Sequence, residues 1–339
     1  MVPMGSNGAF FRRLRDSLAQ GPVALMTVVE ARGSTPRIAG ARQFLSSAGE
    51  SCGSVGGGIT ESRVMKVARE TLADGRSRVF HADLRGDPDD MRDGVCGGTM
   101  TVWIAHLGRA RMLATVESLA ESLDSGRHVL LSTQCGGDLP LTIHDVDATA
   151  LSDEGSFVQV IDPAPALLIV GAGHIGRALA RLASDLEFVV TVQDDRNEWL
   201  VKEAFPASCA LDSSLHTALE GIRQWQSGRF ATLVTRGFAQ DVEALKVLRG
   251  VSDWEYIGLL GSKRRVARVL AGQEAWPAGV LHAPTGIEIG AETPMEIAVS
   301  IAAEMIQALR KERECAQRDA TRGWHSQVAR PSRDEVSES

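Results

Sequence analysis

The chain has 339 residues, of which 44% are hydrophobic and 23% are charged, and its formal net charge is −7. This length suits two domains, and the composition is typical of a globular enzyme or cofactor-binding protein. The acidic balance argues against a nucleic-acid partner, and no apolar run approaches the roughly 20 residues of a membrane-spanning helix. The five cysteines lack CxxC spacing and predict neither a disulfide framework nor a structural zinc site. Because the N-terminal residues also lack a secretory pattern, we expect a cytoplasmic protein without a membrane anchor.

The first half of the chain is predicted to form an α/β domain with glycine-rich loops. Hydrophobic periodicity predicts three helices, at Phe10–Ala19, Thr60–Ala73 and Met112–Leu123. It also predicts six strands, at Val23–Glu30, Arg78–Leu84, Thr99–His106, His128–Thr133, Leu141–Val146 and Phe157–Ile161. The segments Ala31–Gly58 and Arg85–Asp93 are predicted as loops, the first of them long enough to suggest a function.

The second half alternates strands and helices, which predicts a Rossmann-type, doubly wound parallel sheet. The predicted strands are Leu167–Val170, Phe188–Val192, Ala231–Thr235 and Tyr256–Leu260, and the first crossover helix is Arg177–Leu186. A capping box at Thr293–Glu296 opens the last helix, which is predicted to end at Arg310. We therefore expect an N-terminal domain over 1–162, a Rossmann-like domain over 163–312 and a disordered polar tail over 313–339.

The motif GAGHIG follows a buried strand and opens a helix, as a dinucleotide-binding fingerprint requires. Gly171 permits the tight turn, Gly173 lets the backbone approach a phosphate, and Gly176 allows close packing of helix and strand. The helix N-terminus favours an anion, and Asp194 or Asp195 stands where a ribose hydroxyl is normally held. The alternative is a Rossmann fold that has lost its nucleotide.

A second glycine-rich string, GSVGGG, also precedes a helix and predicts an anion-binding nest of backbone N–H groups. Gly56, Gly57 and Gly58 allow the positive φ angles that a nest needs. The nearby string GSTPR supplies Arg37, whose guanidinium could bind a phosphate or carboxylate. A flexible hairpin tip is the alternative interpretation.

Cys96 is the cysteine that we single out as a nucleophile or metal ligand, because Gly97 and Gly98 leave its sulfur accessible. The alternative is inert packing, which is the interpretation that we give to Cys209. His174 lies inside the fingerprint and could touch a bound ligand.

These motifs together resemble the XdhC/CoxI family, the accessory proteins of molybdenum hydroxylases such as xanthine and carbon monoxide dehydrogenases. The segments that resemble this family are GSTPRIAGAR, GSVGGGITE and VCGG in the first half of the chain, and IVGAGHIG, QDDR, YIGLLGSKRR and PTGIEIGAETPMEIAVSIAAE in the second half. One stretch departs from the family pattern, since VTRGFAQD has Phe238 and Gln240 where histidines often stand.

The resemblance implies a chaperone that binds molybdenum cofactor (molybdopterin, as a mono- or dinucleotide), aids its sulfuration and inserts it into an apo-hydroxylase. A cysteine desulfurase is a second candidate partner, and a homodimer is the expected assembly. In this scheme Cys96 contacts the metal, while the nest or the Rossmann helix holds the phosphate. The alternative is an NAD(P)-dependent oxidoreductase that uses the same Rossmann site, although no acid/base pair with a substrate arginine is evident in the sequence.

Overall fold

The computed structural model describes residues 7–84, 97–134, 140–144, 156–226 and 228–320, with side chains as far as residue 310. Within this part, the chain divides into two compact units. Unit 1 comprises residues up to Glu121 together with Val129–Ile161, and unit 2 comprises Ser122–His128 and residues 162–318. None of the described helices has the length and apolarity needed to cross a bilayer.

Unit 1 contains a five-stranded sheet with the strand order β3-β2-β1-β5-β4 and a three-stranded sheet with the order β7-β6-β8. The elements are α1 (Asn7–Gln20), β1 (Val23–Arg32), β2 (Arg42–Ser46), β3 (Ser51–Gly53), α2 (Gly58–Asp74), β4 (Arg78–Asp83), β5 (Thr99–Leu107), α3 (Arg109–Asp124), β6 (Val129–Gln134), β7 (Leu141–His144) and β8 (Ser156–Ile161). All strand pairs described in unit 1 are antiparallel.

The five-stranded sheet is covered by helices because both of its faces are apolar. Alternate residues of β1, including Met26, pack with Val64 and Ala68 of α2 in one buried cluster. On the opposite face, aromatic residues of α1 contact β2, with the rings of Phe10 and Phe44 5.6 Å apart. The central strand is therefore buried on both sides.

Unit 2 is a six-stranded parallel sheet with the order β11-β10-β9-β12-β13-β14. Its elements are β9 (Ala166–Val170), α4 (His174–Asp185), β10 (Val189–Gln193), β11 (Ala210–Asp212), α5 (Leu215–Arg223), β12 (Arg229–Leu233), α6 (Phe238–Leu248), β13 (Trp254–Leu259), α7 (Lys263–Leu270), β14 (Leu281–His282) and α8 (Pro294–Ala320). This is the strand order 3-2-1-4-5-6 of a dinucleotide-binding fold.

Two apolar layers enclose the parallel sheet. Helices α4 and α8 supply one layer, and α5, α6 and α7 supply the other. Every residue of β9 is buried, as expected for a central parallel strand. The short segment 122–128 also belongs to this unit, since the carbonyl of Gly126 accepts the amide of Gln226 at 2.9 Å.

The predicted fold class, a mixed α/β chain with a Rossmann-type parallel sheet, is confirmed. The predicted loop at Ala31–Gly58 is wrong in part, because it contains β2 and β3. The predicted end of the last helix at Arg310 is also wrong, because α8 continues to Ala320, so residues 313–320 are helical. The predicted loop at Arg85–Asp93 lies outside the described residues.

Candidate functional site

The crevice of unit 2 opens where β9 and β12 lie side by side and their crossovers leave in opposite directions. In open parallel sheets, ligands bind outside the carboxyl ends of the strands at this switch point. An open cleft of about 200 Å³ occupies the position. The polar residues that line it follow β10 and β12 in the chain and are Gln193, Asp194, Asp195, Arg196, Thr235, Arg236, Gln240 and Glu243.

The three fingerprint glycines are needed for different physical reasons. A Cβ on Gly176 would lie 1.9 Å from the carbonyl oxygen of Gly171, so helix α4 reaches the strand only because that side chain is missing. Gly171 has a φ of +120°, and its Cβ would lie 2.6 Å from the Val234 oxygen. A Cβ on Gly173 would meet nothing within 4 Å. Gly173 therefore keeps open space at the helix N-terminus, where a phosphate of a ligand can lie.

The fingerprint loop is held on both sides of Ala172. Its amide donates to Oδ2 of Asp194 at 2.8 Å, and its carbonyl accepts from Nε of Arg177 at 3.1 Å. The guanidinium of Arg177 lies over the ring of Trp199, 5.3 Å from its centroid. His174 is exposed, and its ring lies edge-on to Trp199 at 6.2 Å. The loop is thus ordered by the protein itself.

Asp194 lies at the carboxyl end of the second strand of the fold, as predicted, but its carboxylate already has partners. Its side chain is 4% exposed, and Arg196 binds it through Nε at 2.8 Å and Nη2 at 2.9 Å. Burial opposes ionisation, yet the hydrogen bonds from Arg196 and Ala172 outweigh it and lower the pKa of Asp194. Asp195 is exposed and lies 3.5 Å from Arg236. The carboxylate of Asp195 is therefore more accessible to a ribose hydroxyl than that of Asp194.

A second buried carboxylate fixes the loop after β12. Asp241 is fully buried, and its oxygens accept from the hydroxyl of Thr235 at 2.6 Å and from Nε of Arg265 at 2.8 Å. Burial raises the pKa of Asp241, and the bonds to Thr235 and Arg265 offset this only in part. Because Arg236 directly follows Thr235, this network holds the Arg236 side of the crevice in place.

The first part of the long string PTGIEIGAETPMEIAVSIAAE, before Pro294, is a loop, and the rest is the beginning of α8, which anchors that loop. Oε2 of Glu304 accepts from the amide of Gly286 at 2.7 Å and from the hydroxyl of Tyr256 at 2.8 Å. Its other oxygen lies 3.1 Å from Nδ1 of His282. Burial opposes the charge on Glu304, but these contacts together lower its pKa. This cluster stabilises the fold and lies outside the residues that line the cleft.

The glycine-rich strings of unit 1 meet at one place. A Cβ on Gly98 would lie 2.4 Å from the carbonyl oxygen of Arg32 and 2.5 Å from that of Ser34, so the GSTPR loop packs directly on Gly98. On its other side, a Cβ on Gly56 would lie 3.1 Å from Pro36. Within this loop the carbonyl of Arg37 accepts from the hydroxyl of Thr35. Cys96, the proposed ligand beside these glycines, lies outside the described residues.

The predicted nest at Gly56, Gly57 and Gly58 has three consecutive positive φ angles. A side chain of the protein already binds there, because Oε2 of Glu61 accepts from the amide of Gly57 at 3.0 Å and from the hydroxyl of Ser54 at 2.6 Å. The nest therefore already binds one negatively charged group, the carboxylate of Glu61 in helix α2.

Two cysteines among the described residues are packed within the protein. Cys52 is buried, with Nη1 of Arg13 at 3.8 Å from its sulfur. Cys209 lies 3.4 Å from the hydroxyl of Ser184, and burial raises the pKa of its thiol. In the described part of the chain, no group of three or more His, Cys, Asp or Glu side chains is arranged to hold a metal ion.

The sequence interpretation missed four residues at these sites, namely Glu61, Arg196, Asp241 and Arg265. Two of them had a detectable signal. Glu61 follows the glycines within the first turn of a helix, as acidic capping residues do. Arg196 stands two residues after Asp194 in the string QDDR. The pair of Asp241 and Arg265 joins two distant segments, so only the fold reveals it.

Two family models match the chain. The model of the XdhC and CoxI family matches residues 17–83, and the model of the XdhC Rossmann domain matches residues 167–305. A probable xanthine dehydrogenase subunit of Bacillus subtilis is 29% identical over 327 residues, covering 89% of this chain and 98% of that protein. An uncharacterized protein of Escherichia coli, YqeB, is 30% identical over 296 residues, covering 84% of this chain. The chain spans 43% of the length of YqeB.

A solved structure has the same fold. The crystal structure of a xanthine dehydrogenase from Bacillus halodurans superposes with a TM-score of 0.74 and 24% sequence identity, covering 89% of this chain and 96% of that one. The two family models together match more than half of the residues, and they match the segments that contain the glycine-rich loops and the Rossmann crevice. The chain therefore belongs to the XdhC and CoxI family.

Proposed function

We propose that this protein is an accessory factor of a molybdenum hydroxylase of the xanthine dehydrogenase type. In this proposal it binds molybdenum cofactor, supports sulfuration of the metal and delivers the cofactor to the apo-hydroxylase. Family membership supports this role, as does the name of the Bacillus subtilis relative, which describes a probable part of a xanthine dehydrogenase.

The observation that best supports a bound cofactor is the open space at Gly173 beside the N-terminus of α4. The loop around it is already ordered by Asp194 and Arg177, so a phosphate would bind without much rearrangement. Arg236 and the fingerprint residue Gly171 both line the cleft, and Arg236 brings a positive charge to it. These residues fit the phosphate end of the cofactor, whether it is the mono- or the dinucleotide.

The metal end requires a soft donor that Cys52 and Cys209 do not offer, because both are packed within the protein. Cys96 is our candidate for this contact, because a soft metal centre accepts a thiolate and because the neighbouring Gly97 has open space around its Cα, whereas Gly98 is packed against the GSTPR loop. When bound, the cofactor supplies the molybdenum centre that the hydroxylase needs. The task of this chain is to hold, shield and release it.

The nicotinamide-dependent alternative has less support. A nicotinamide dinucleotide usually donates a ribose hydroxyl to an acidic residue at the position of Asp194. Here Asp194 is buried, and its carboxylate already accepts hydrogen bonds from Arg196 and Ala172. A cofactor carrier needs no such contact, because affinity for phosphate and metal is enough.

Purification from cells that synthesise molybdenum cofactor tests the proposal. We expect molybdenum and pterin to co-purify with the wild-type chain in equal amounts, and a deletion strain to express its hydroxylase without activity. Co-purified nicotinamide nucleotide in place of pterin, or full hydroxylase activity in the deletion strain, would refute the proposal.

A further inference from the structure

The loop before α8 and the first turns of that helix expose several large hydrophobic side chains. Ile287 is 39% exposed, Ile289 53%, Met295 45% and Val299 45%. None of them belongs to the described residues that line the cleft. A single exposed hydrophobic residue is ordinary, but a group of them in one short segment indicates an interaction surface.

Hydrogen bonds hold the exposed loop along α8. The carbonyl of Ile287 accepts from the hydroxyl of Ser300 at 2.6 Å, and its amide donates to the Ser300 carbonyl at 3.3 Å. Further along the loop, the amide of Glu292 donates to Oε2 of Glu296 at 2.8 Å. Because Ser300 and Glu296 are four residues apart on the helix, the two anchors are separated by about 6 Å along its axis. Ile289, which lies between the anchored residues, therefore stays beside α8.

Met295 and Val299 belong to the same surface as the loop. They are also four residues apart, so they lie on one side of α8, and Val299 directly precedes Ser300, to which Ile287 is bonded. We call Ile287, Ile289, Met295 and Val299 the apolar patch. Its backbone is ordered before any partner binds, which lowers the entropic cost of association.

The charged residues around the apolar patch are all acidic in the sequence. Residues 283–309 contain four glutamates and no lysine, arginine or histidine. Glu288, Glu292 and Glu296 are exposed, whereas Glu304 binds the amide of Gly286. Two copies of this chain joined through the patch would bring like charges together, which disfavours association. The complementary partner has an apolar recess surrounded by lysine or arginine side chains.

The apolar patch lies at the same edge of the sheet as the crevice. Strands β12, β13 and β14 are parallel and therefore end at one edge, and the loop with Ile287 follows β14. Two strand spacings separate β14 from β12, which is about 10 Å. Helix α8 packs in the same layer as α4, whose N-terminus has the open space at Gly173. A protein bound to the patch would thus lie beside the mouth of the crevice.

We propose that the apolar patch is the docking surface for the apo-hydroxylase, which contributes the apolar recess with a basic rim. This proposal rests on the proposed function, in which the hydroxylase receives the cofactor. A cysteine desulfurase has to reach only the metal end, whereas the recipient must also take up the phosphate end, which the proposed function assigns to Gly173. A recipient docked here covers the edge at which the cofactor leaves, so transfer occurs with little exposure to water.

The test uses the full chain loaded with cofactor and the inactive apo-hydroxylase purified from the deletion strain, with association and dissociation rates measured on an optical biosensor. Ile289→Ser combined with Met295→Ser should weaken binding at least about tenfold, because exposed hydrophobic side chains would lose their recess. Glu288→Gln combined with Glu292→Gln should mainly lower the association rate and its dependence on salt. Bound pterin should stay unchanged in both variants, since these residues do not line the cleft.

Leu186→Ser combined with Val189→Ser is the matched control. These side chains are 42% and 40% exposed, but they lie where α4 ends and β10 begins, at the opposite edge of the same sheet. The control variant should bind the hydroxylase as wild type does.

The outcomes separate the docking surface from the proposed function. Unchanged hydroxylase binding by the patch variant, or an equal loss in the control variant, would overturn the docking surface while the cofactor role stands. The surface would also be overturned if the patch variant lost pterin, lost only desulfurase binding or changed its own oligomeric state. A wild-type chain that binds neither pterin nor the hydroxylase would refute both.

Discussion

The amide nitrogen of Ala172 lies 2.8 Å from Oδ2 of Asp194, and this hydrogen bond joins the fingerprint loop to the end of the neighbouring strand. The carboxylate that a nucleotide-binding site usually turns toward its ligand is here turned toward its own backbone. Arg196 binds the same carboxylate from the other side. The pair thus orders the loop before any ligand arrives.

Asp194→Ala should destabilise the protein by about 2–4 kcal/mol, because it leaves Arg196 and the Ala172 amide without a partner. Asp195→Ala is the matched control, since Asp195 is 60% exposed and its removal should change stability by less than about 0.5 kcal/mol. Urea unfolding of both variants measures the difference. Equal effects would show that the contact to Ala172 does not order the loop.

Gly173→Val should leave the unfolding free energy within about 1 kcal/mol of wild type, because its Cβ enters open space. It should nevertheless lose bound pterin, since the new side chain occupies the phosphate position. Gly176→Ala should instead cost at least about 3 kcal/mol, because its Cβ would collide with the Gly171 carbonyl. Gly221→Val, an exposed glycine of α5, controls for a change with no ligand nearby. Retention of pterin by Gly173→Val would move the phosphate site elsewhere.

Cys96→Ser should keep the protein folded but lower the molybdenum retained on purification at least about tenfold, because a hydroxyl is a poor soft ligand. Cys209→Ser should retain the metal, since its sulfur is packed against Ser184. Metal analysis of the two purified variants, with circular dichroism to check folding, decides between them. A similar loss in both, or no loss in either, would contradict the assignment of Cys96.

Glu304 should make unit 2 sensitive to acid. Its pKa is lowered in the folded protein, so its contribution to stability is complete above the ordinary glutamate pKa of about 4.3. This contribution is lost as the pH falls below that value and through the folded pKa. Glu304→Gln should cost about 2–4 kcal/mol at neutral pH and reduce the decline of stability in acid. Unfolding measured from about pH 7 to about pH 3, with the exposed Glu203→Gln as control, tests this, and parallel curves for wild type and Glu304→Gln would contradict it.

The Rossmann crevice could be predicted because its geometry depends on local sequence. A Cβ on Gly176 would strike the carbonyl of Gly171, only five residues earlier, so the spacing of the motif is enough to indicate this requirement. Arg265 could not be predicted in the same way, because it reaches Asp241 across two elements of the fold. Strands β2 and β3 were not predicted, because they have only five and three residues and lie in a stretch rich in glycine and serine. Strands this short show too few alternating hydrophobic residues to be recognised in such a stretch.

Strand register is a second limit of sequence interpretation, because it places Thr27 of β1 between Arg42 of β2 and Trp103 of β5. Each residue by itself has the pattern of an ordinary strand position, and only the register of three strands brings them side by side. The nest at Gly57 illustrates the opposite case, in which the sequence predicts the backbone conformation but not the side chain that binds it. The register of the strands is fixed only when the whole sheet assembles. Likewise, only the folded structure shows that the Glu61 carboxylate binds the nest where a bound anion was predicted.

The segment 122–128 has a consequence for any attempt to separate the two units by truncation. It precedes the last strands of unit 1 in the chain, yet its backbone binds Gln226 through Gly126, and Gly126 packs against the ring of Trp225. A fragment that starts at the linker near residue 162 would lack this segment and would expose the indole ring to water. A single proteolytic cut near residue 162 therefore cannot release an intact Rossmann unit.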